Sequence, residues 1–244
     1  MKAFVVDLDE RKKREILWKF YLDKGGKNKL EYAYYDNQAV SNIHEVANKI
    51  KTFIQKSLKN NEYTLLNRNE IKEAFFNLLQ ERLNKTKVFL SHSHIDMKNN
   101  GFLGVKNIKS FLEPSDRSNL IFIDSLFWDY KDDVLNKLAK HDDISKIKDA
   151  FTLILRESLQ DMIEKCPYFV FLQSKNSVSN QGLSRITYSA WIYEELKIAH
   201  SISTISESHL IPMMESMQVF HDISPFLKSF ETITLSELSQ QINS

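Results

Sequence analysis

Two carboxylates stand side by side on the apolar, helix-forming run Tyr188-Ser-Ala-Trp-Ile-Tyr-Glu-Glu-Leu-Lys-Ile-Ala-His200. Read as a helix, residues 189–200 set Trp191, Glu195, Ile198 and Ala199 three and four positions apart, with Ile192 on the same side. Glu195 then lies at an apolar edge. Partial desolvation there disfavours a carboxylate's charged form and concentrates its field on whatever binds beside it, which makes Glu195 the candidate reacting group. Glu194, one position round, stands three residues from Lys197 and reads as half of a solvated ion pair. Trp191 reads as a packing anchor that orients the helix rather than as a stacking surface.

A second constellation is His92-Ser-His94-Ile-Asp96, directly after the apolar run Val88-Phe-Leu90. Alternating histidines with an aspartate can ligate zinc, and H-x-H-x-D resembles the pattern of metallo-β-lactamase-like hydrolases. In that family a further histidine follows the aspartate, whereas Met97 stands here, and the glycine-rich frame of that family is at odds with a chain holding 5 glycines. The other reading is that His92 and His94 are turn residues that bond locally.

The chain that must position these groups has 244 residues, room for one large α/β domain or a domain plus an appendage. With 42% hydrophobic and 27% charged residues it has the composition of a globular protein in water. A formal net charge of +1 offers no global electrostatic case for nucleic acid. The local cluster Arg11-Lys-Lys-Arg14 reads as the polar first turn of an amphipathic helix. No apolar run approaches the roughly 20 residues of a membrane span. The patch from Ala3 to Leu8 is too short for a signal peptide, so the expectation is no membrane and no export. The single cysteine, Cys166, excludes an internal disulfide, fits a cytoplasmic location and reads as a core thiol. Neither a Walker A loop nor a G-x-G-x-x-G fingerprint is present, so any nucleotide is held without a glycine cradle.

Along the chain, residues 1–85 read as a mostly helical N-terminal region. Apolar stripes run through Ile16, Leu17, Phe20 and Tyr21, then from Ile43 to Leu58, and a third helix is capped by Asn69. Residues 86–244 read as a second unit. Strands are expected at 87–90, 120–124 and 168–172, with helices at 105–112, around 134–138, at 151–164 and through Trp191. Short segments at 210–213 and 232–234 and a terminal helix from Ser236 complete it. Alternation of near-continuous apolar strands with amphipathic helices predicts a flavodoxin-like parallel sheet with helices on both faces. Ligands of such sheets bind at the carboxyl ends of the strands, here Ser91 to Asp96, Asp124 to Ser125 and Ser174 to Ser177.

Four segments in this order, Val88-Phe-Leu-Ser-His-Ser-His-Ile-Asp96, the strand ending at Asp124, Cys166-Pro-Tyr-Phe-Val-Phe-Leu-Gln-Ser-Lys-Asn-Ser177 and Ser189-Ala-Trp-Ile-Tyr-Glu-Glu-Leu196, together resemble a TIR (Toll/interleukin-1 receptor-like) domain. They are most similar to the bacterial TIR proteins of antiphage systems such as Thoeris, over about residues 87–240. In the enzymatic members a glutamate four residues after a tryptophan is catalytic, and Trp191 plus four is Glu195. The resemblance implies cleavage of the nicotinamide-ribose bond of NAD+, giving nicotinamide and ADP-ribose or a cyclic ADP-ribose signal. It implies that Ser91, His92, Ser93 and His94 contact the nucleotide, that Asp124, Ser125, Ser174 and Trp191 belong to the same binding site, and that the 125–146 segment forms a flap. NAD+ is then the substrate, with no resident cofactor or metal, and the partners implied are a second copy of the chain or a defence effector that responds to the product. Many relatives carry arginines in the first turn where this chain has Ser93 and His94, so the contacts made there differ. TIR domains also include adaptors that act by self-association, which is the alternative outside enzymology.

Overall fold

The chain is described by a computed structural model, which covers residues 1–23, 43–58, 69–74, 84–98, 104–113, 120–124, 136, 144–181, 184–203 and 221–243. Its elements run β1 (Lys2–Asp7), α1 (Arg11–Asp23), α2 (Ile43–Leu58), β2 (Val88–Ser91), α3 (His94–Lys98), α4 (Val105–Leu112), β3 (Ile121–Ile123), α5 (Ile144–Lys165) and β4 (Tyr168–Gln173). They continue with β5 (Ser179–Gln181), β6 (Ser184–Thr187), α6 (Ala190–Ser203), β7 (His221–Asp222), α7 (Ser224–Ser229), β8 (Glu231–Thr232) and α8 (Leu235–Asn243). Residues 69–74 are also helical. Five strands make one parallel sheet in the order β3-β2-β4-β1-β8, and β5, β6 and β7 make a small antiparallel sheet. The expected α/β class, flavodoxin-like with helices on both faces, is therefore observed.

Alternation along the strands divides the core into two chemically different halves. Ala3, Val5, Phe89, Phe122, Phe169 and Phe171 face α2, α5, α6 and α7, where Ile50, Ile163, Leu196 and Leu227 meet them. The rings of Phe89 and Phe169 stack with centroids 5.8 Å apart. On the other face Phe4, Val6, Val88, Leu90, Ile121, Ile123, Val170 and Leu172 pack on α1, α4 and α8 through Leu17, Ile108 and Leu238. Because both faces are covered, the central strands are apolar at successive positions rather than alternating with polar ones.

Local polar contacts fix the ends of the elements. Glu113 accepts from Lys109 Nζ at 2.5 Å and from the Ile121 backbone N–H at 2.8 Å, and Lys109 also donates to the Ile121 carbonyl at 3.0 Å. Burial lowers the pKa of Lys109, against the opposing pull of Glu113. The end of α4 is thereby tied to the start of β3. The terminal helix begins with a capping box in which Thr234 and Glu237 each accept from the other's backbone N–H, at 3.2 and 2.9 Å.

Three differences from the sequence reading matter. The first concerns Lys2–Asp7, which the sequence pattern places within a mostly helical region over residues 1–85. It is a strand paired with β4 over six residues, from Lys2 opposite Tyr168 to Asp7 opposite Gln173, and with β8 on its other side. The expected boundary between residues 85 and 86 thus does not separate the N-terminal region from the sheet. The physical reason is that Phe4 and Val6 on one face, and Ala3 and Val5 on the other, are all buried only if this strand lies between β4 and β8. Secondly, α5 starts at Ile144, so the last residues assigned to the 125–146 flap are helical. Thirdly, β5, β6 and β7 were not expected at all. Of the helix expected near 134–138 only residue 136 is described, as helical, and the segment at 210–213 and most of the 125–146 connection lie outside the described residues.

Phe4 is fully buried. Phe4→Ala should destabilise the whole domain by about 3–5 kcal/mol, as for other large core truncations. Denaturant unfolding followed at the tryptophans measures this. An unchanged midpoint would mean that the N-terminal strand is not part of the cooperative core.

Candidate functional site

The chain leaves β2 toward α4 on one face of the sheet and leaves β4 toward α6 on the other, while β2 and β4 are hydrogen-bonded neighbours. A crevice opens between the carboxyl ends of such a pair, and it is where open α/β sheets bind ligands. The polar residues after β2, β3 and β4 meet there.

Ser91 ends β2. Two residues beyond Phe89, it lies on the same side as that ring, toward α6. Its hydroxyl donates to Glu195 Oε2 at 2.6 Å, and Glu195 is 0% exposed. His92 points elsewhere and is also buried: Nε2 is 2.9 Å from Asp124 Oδ1 at the end of β3, and Nδ1 is 2.8 Å from the Ser93 carbonyl. Burial opposes a charge on this ring, but the Asp124 carboxylate, the Ser93 carbonyl and the more distant Asp96 outweigh it, so the His92 pKa is raised. Two acceptors on two ring nitrogens fit an imidazolium, which donates from both.

Ser93 starts α3 in the manner of an N-cap, with its hydroxyl accepting from the Ile95 N–H at 3.3 Å and its carbonyl from the Asp96 N–H at 2.9 Å. Asp96 is turned inward across to the loop after β4. It accepts from Ser174 Oγ and from Asn176 Nδ2, each at 2.6 Å. That loop is itself folded by hydroxyls, since the Ser174 N–H donates to Ser177 Oγ at 2.8 Å and the Asn176 N–H to Ser174 Oγ at 3.1 Å. Asp96 therefore clamps the ends of β2 and β4 together.

The two glutamates of α6 differ from expectation. The three-residue spacing of Glu194 to Lys197 predicts a solvated ion pair. Glu194 is instead 1% exposed and bound by Arg156 of α5, with Nη2 at 2.8 Å and Nε at 3.0 Å. The helix face is broader than its own periodicity indicates because α5 packs alongside and supplies a guanidinium. Glu195, expected at an apolar edge, is wholly enclosed. Trp191 is half-buried.

Beside these contacts lies an open cleft of about 470 Å³, walled by the turn at Ser93 to Ile95, the loop at Lys175 to Ser179, and Ile186 to Ser189 with Ile192; Trp191, expected at the site, is not among the lining residues. Glu195 and Ser91 stand behind its wall rather than in it. Of the residues expected at the site, Ser93 and His94 line the cleft. Ser91, His92, Asp124 and Ser174 form the buried layer next to it, and Ser125 lies outside the described residues. His94 is exposed and does not converge with His92 and Asp96. Among the described residues no group of three or more His, Cys, Asp or Glu is placed to hold a metal ion, so the zinc pattern at 92–96 does not assemble.

The chain matches no family model, no curated protein and no solved structure.

Asp96, Lys175 and Asn176 fall within the strand-end runs Ser91 to Asp96 and Ser174 to Ser177 that the sequence marks for ligand, whereas nothing in the sequence pattern assigns Arg156 or Tyr188 to the site. Cys166 is buried and its thiol is pushed up to about 12 by burial, in keeping with a core role.

A raised folded-state pKa makes the stabilisation from His92 fully present below the ordinary imidazole value of about 6.5 and loses it as pH rises through the folded value. The thermal unfolding temperature should therefore fall with pH over that interval, and His92→Gln should lack this component. Parallel profiles for wild type and variant would show that folding does not raise the His92 pKa.

Proposed function

We propose that the chain cleaves the nicotinamide-ribose bond of NAD+, with Glu195 as the reacting carboxylate. The observation that carries this reading is the position of Glu195, held by Ser91 at the carboxyl end of β2 beside the crevice between β2 and β4. Glu194 is occupied by Arg156, which leaves Glu195 as the carboxylate of the pair directed to the strand ends. The four segments similar to TIR domains supply the substrate.

In the reaction, the bond between ribose C1′ and the pyridinium nitrogen breaks and its electron pair returns to the ring, so nicotinamide leaves neutral. The ribose becomes oxocarbenium-like, and a carboxylate beside it stabilises the charge or holds a ribose hydroxyl. Water adding at C1′, with loss of a proton, gives ADP-ribose. An internal nucleophile of the adenine gives a cyclic product instead. The product would serve as a signal in antiphage defence, read by a partner effector in the cytoplasm. Turnover requires Glu195 to exchange or share its Ser91 contact with the substrate.

A non-catalytic, self-associating scaffold is the second reading, favoured by the complete enclosure of Glu195 and its existing hydrogen bond. Glu195→Gln separates the two. Glutamine retains an acceptor for Ser91 Oγ but removes the charge. Nicotinamide release, followed by chromatography, should drop by about 100-fold or more with the unfolding midpoint little changed. Equal release from the folded variant would take Glu195 out of the mechanism.

A further inference from the structure

The cleft has a one-sided chemistry. Among the described residues no acidic side chain lines it, whereas Lys175 contributes an ammonium group, His94 a ring nitrogen, and Ser93 and Ser189 hydroxyl groups; the Ser177 hydroxyl is buried and donates to the Leu172 and Ser174 carbonyls. Lys175 and His94 are exposed and belong to opposite walls, one after β4 and the other at the start of α3. Those walls are held in register from beneath, because Asp96 and Asn176, each adjoining a wall residue, are hydrogen-bonded to each other. Tyr188, 59% exposed, adds a large aromatic ring to the third wall.

We propose that this cleft binds the phosphate groups and one ring of a phosphorylated nucleoside. Lys175 neutralises the phosphate charge, His94 and the hydroxyls of Ser93 and Ser189 donate hydrogen bonds to its oxygens, and Tyr188 stacks on the base. Phosphate oxygens are acceptors only, so a cleft offering a cation and donors without a competing carboxylate selects them. A flat ring on an aromatic side chain gains contact independently of the charge. The volume of about 470 Å³ falls within the range of small-molecule sites. Naming NAD+ as the natural ligand rests on the NAD+-cleaving reading above, under which the cleft holds the diphosphate and one base while the reacting ribose lies toward Glu195.

Calorimetric titration of the full chain with ADP and with adenosine tests the assignment, because neither probe has a bond for the proposed reaction to break. ADP should bind more tightly than adenosine, and added salt should weaken ADP alone. Lys175→Ala should weaken ADP by about tenfold or more, the effect of losing one charge-assisted contact, and leave adenosine nearly unchanged. Tyr188→Ala should weaken both probes. Both residues are exposed, so the variants should keep the wild-type unfolding midpoint. Absence of ADP binding, or ADP affinity indifferent to Lys175→Ala, overturns the inference even if nicotinamide release depends on Glu195. Lys175-dependent ADP binding sustains it even if no NAD+ is consumed, in which case the proposed reaction alone fails.

Discussion

The hydrogen bond from Ser91 to Glu195 joins the sheet to the helix that carries the candidate reacting group, and much of the surrounding structure serves to fix its two ends. Ser91 is set by strand alternation: Phe89 must enter the aromatic half of the core, so the residue two beyond it faces α6. Glu195 is set by α6, whose Ile192, Leu196 and Ala199 occupy the same half of the core. Arg156 holds the adjacent Glu194 from α5. A buried carboxylate is costly unless it is hydrogen-bonded, so the fold must supply such contacts to keep two successive glutamates enclosed.

A layered polar network follows from that placement. Phe89, Ser91 and Glu195 lie toward α6, while His92 turns to Asp124 at the end of the neighbouring strand and Asp96 reaches the loop after β4. The carboxyl ends of β2, β3 and β4 are thereby each joined to another element by a buried polar contact. Among the described residues an open cleft lies outside this layer, and Lys175, Ser93 and Ser189 offer it donors. The buried layer thus sets geometry and the outer layer is available to a ligand, and chemistry at Glu195 would require communication between the two.

Much of the sheet was legible from local pattern. Val88 to Ser91, Ile121 to Ile123 and Tyr168 to Gln173 are short apolar runs ended by polar residues, and Val105 to Leu112 has a helical stripe followed by Pro114. The first strand carries the same signature, Ala3 to Val6 followed by Asp7, yet its role is decided by Tyr168 to Gln173, more than 160 positions away. Local reading has no access to such a partner. The strands Ser179–Gln181 and Ser184–Thr187 have little β-forming character and exist through their pairing with each other and with His221–Asp222. At the site, periodicity singled out Glu195 but misjudged Glu194, because the guanidinium that buries it comes from 38 residues earlier on another helix. The residues that gathered at the strand ends were foreseeable as a set, while their division into a buried layer and an open cleft depends on packing.

Where the Glu195 carboxylate acts can be seen in a crystal structure of the chain with a non-cleavable NAD+ analogue. The diphosphate is expected beside Lys175 and His94, with C1′ of the nicotinamide ribose in contact with a Glu195 carboxylate that has exchanged or now shares its Ser91 hydrogen bond. An analogue bound with its ribose away from Glu195, and the Ser91 to Glu195 contact intact, would contradict a reacting role for Glu195.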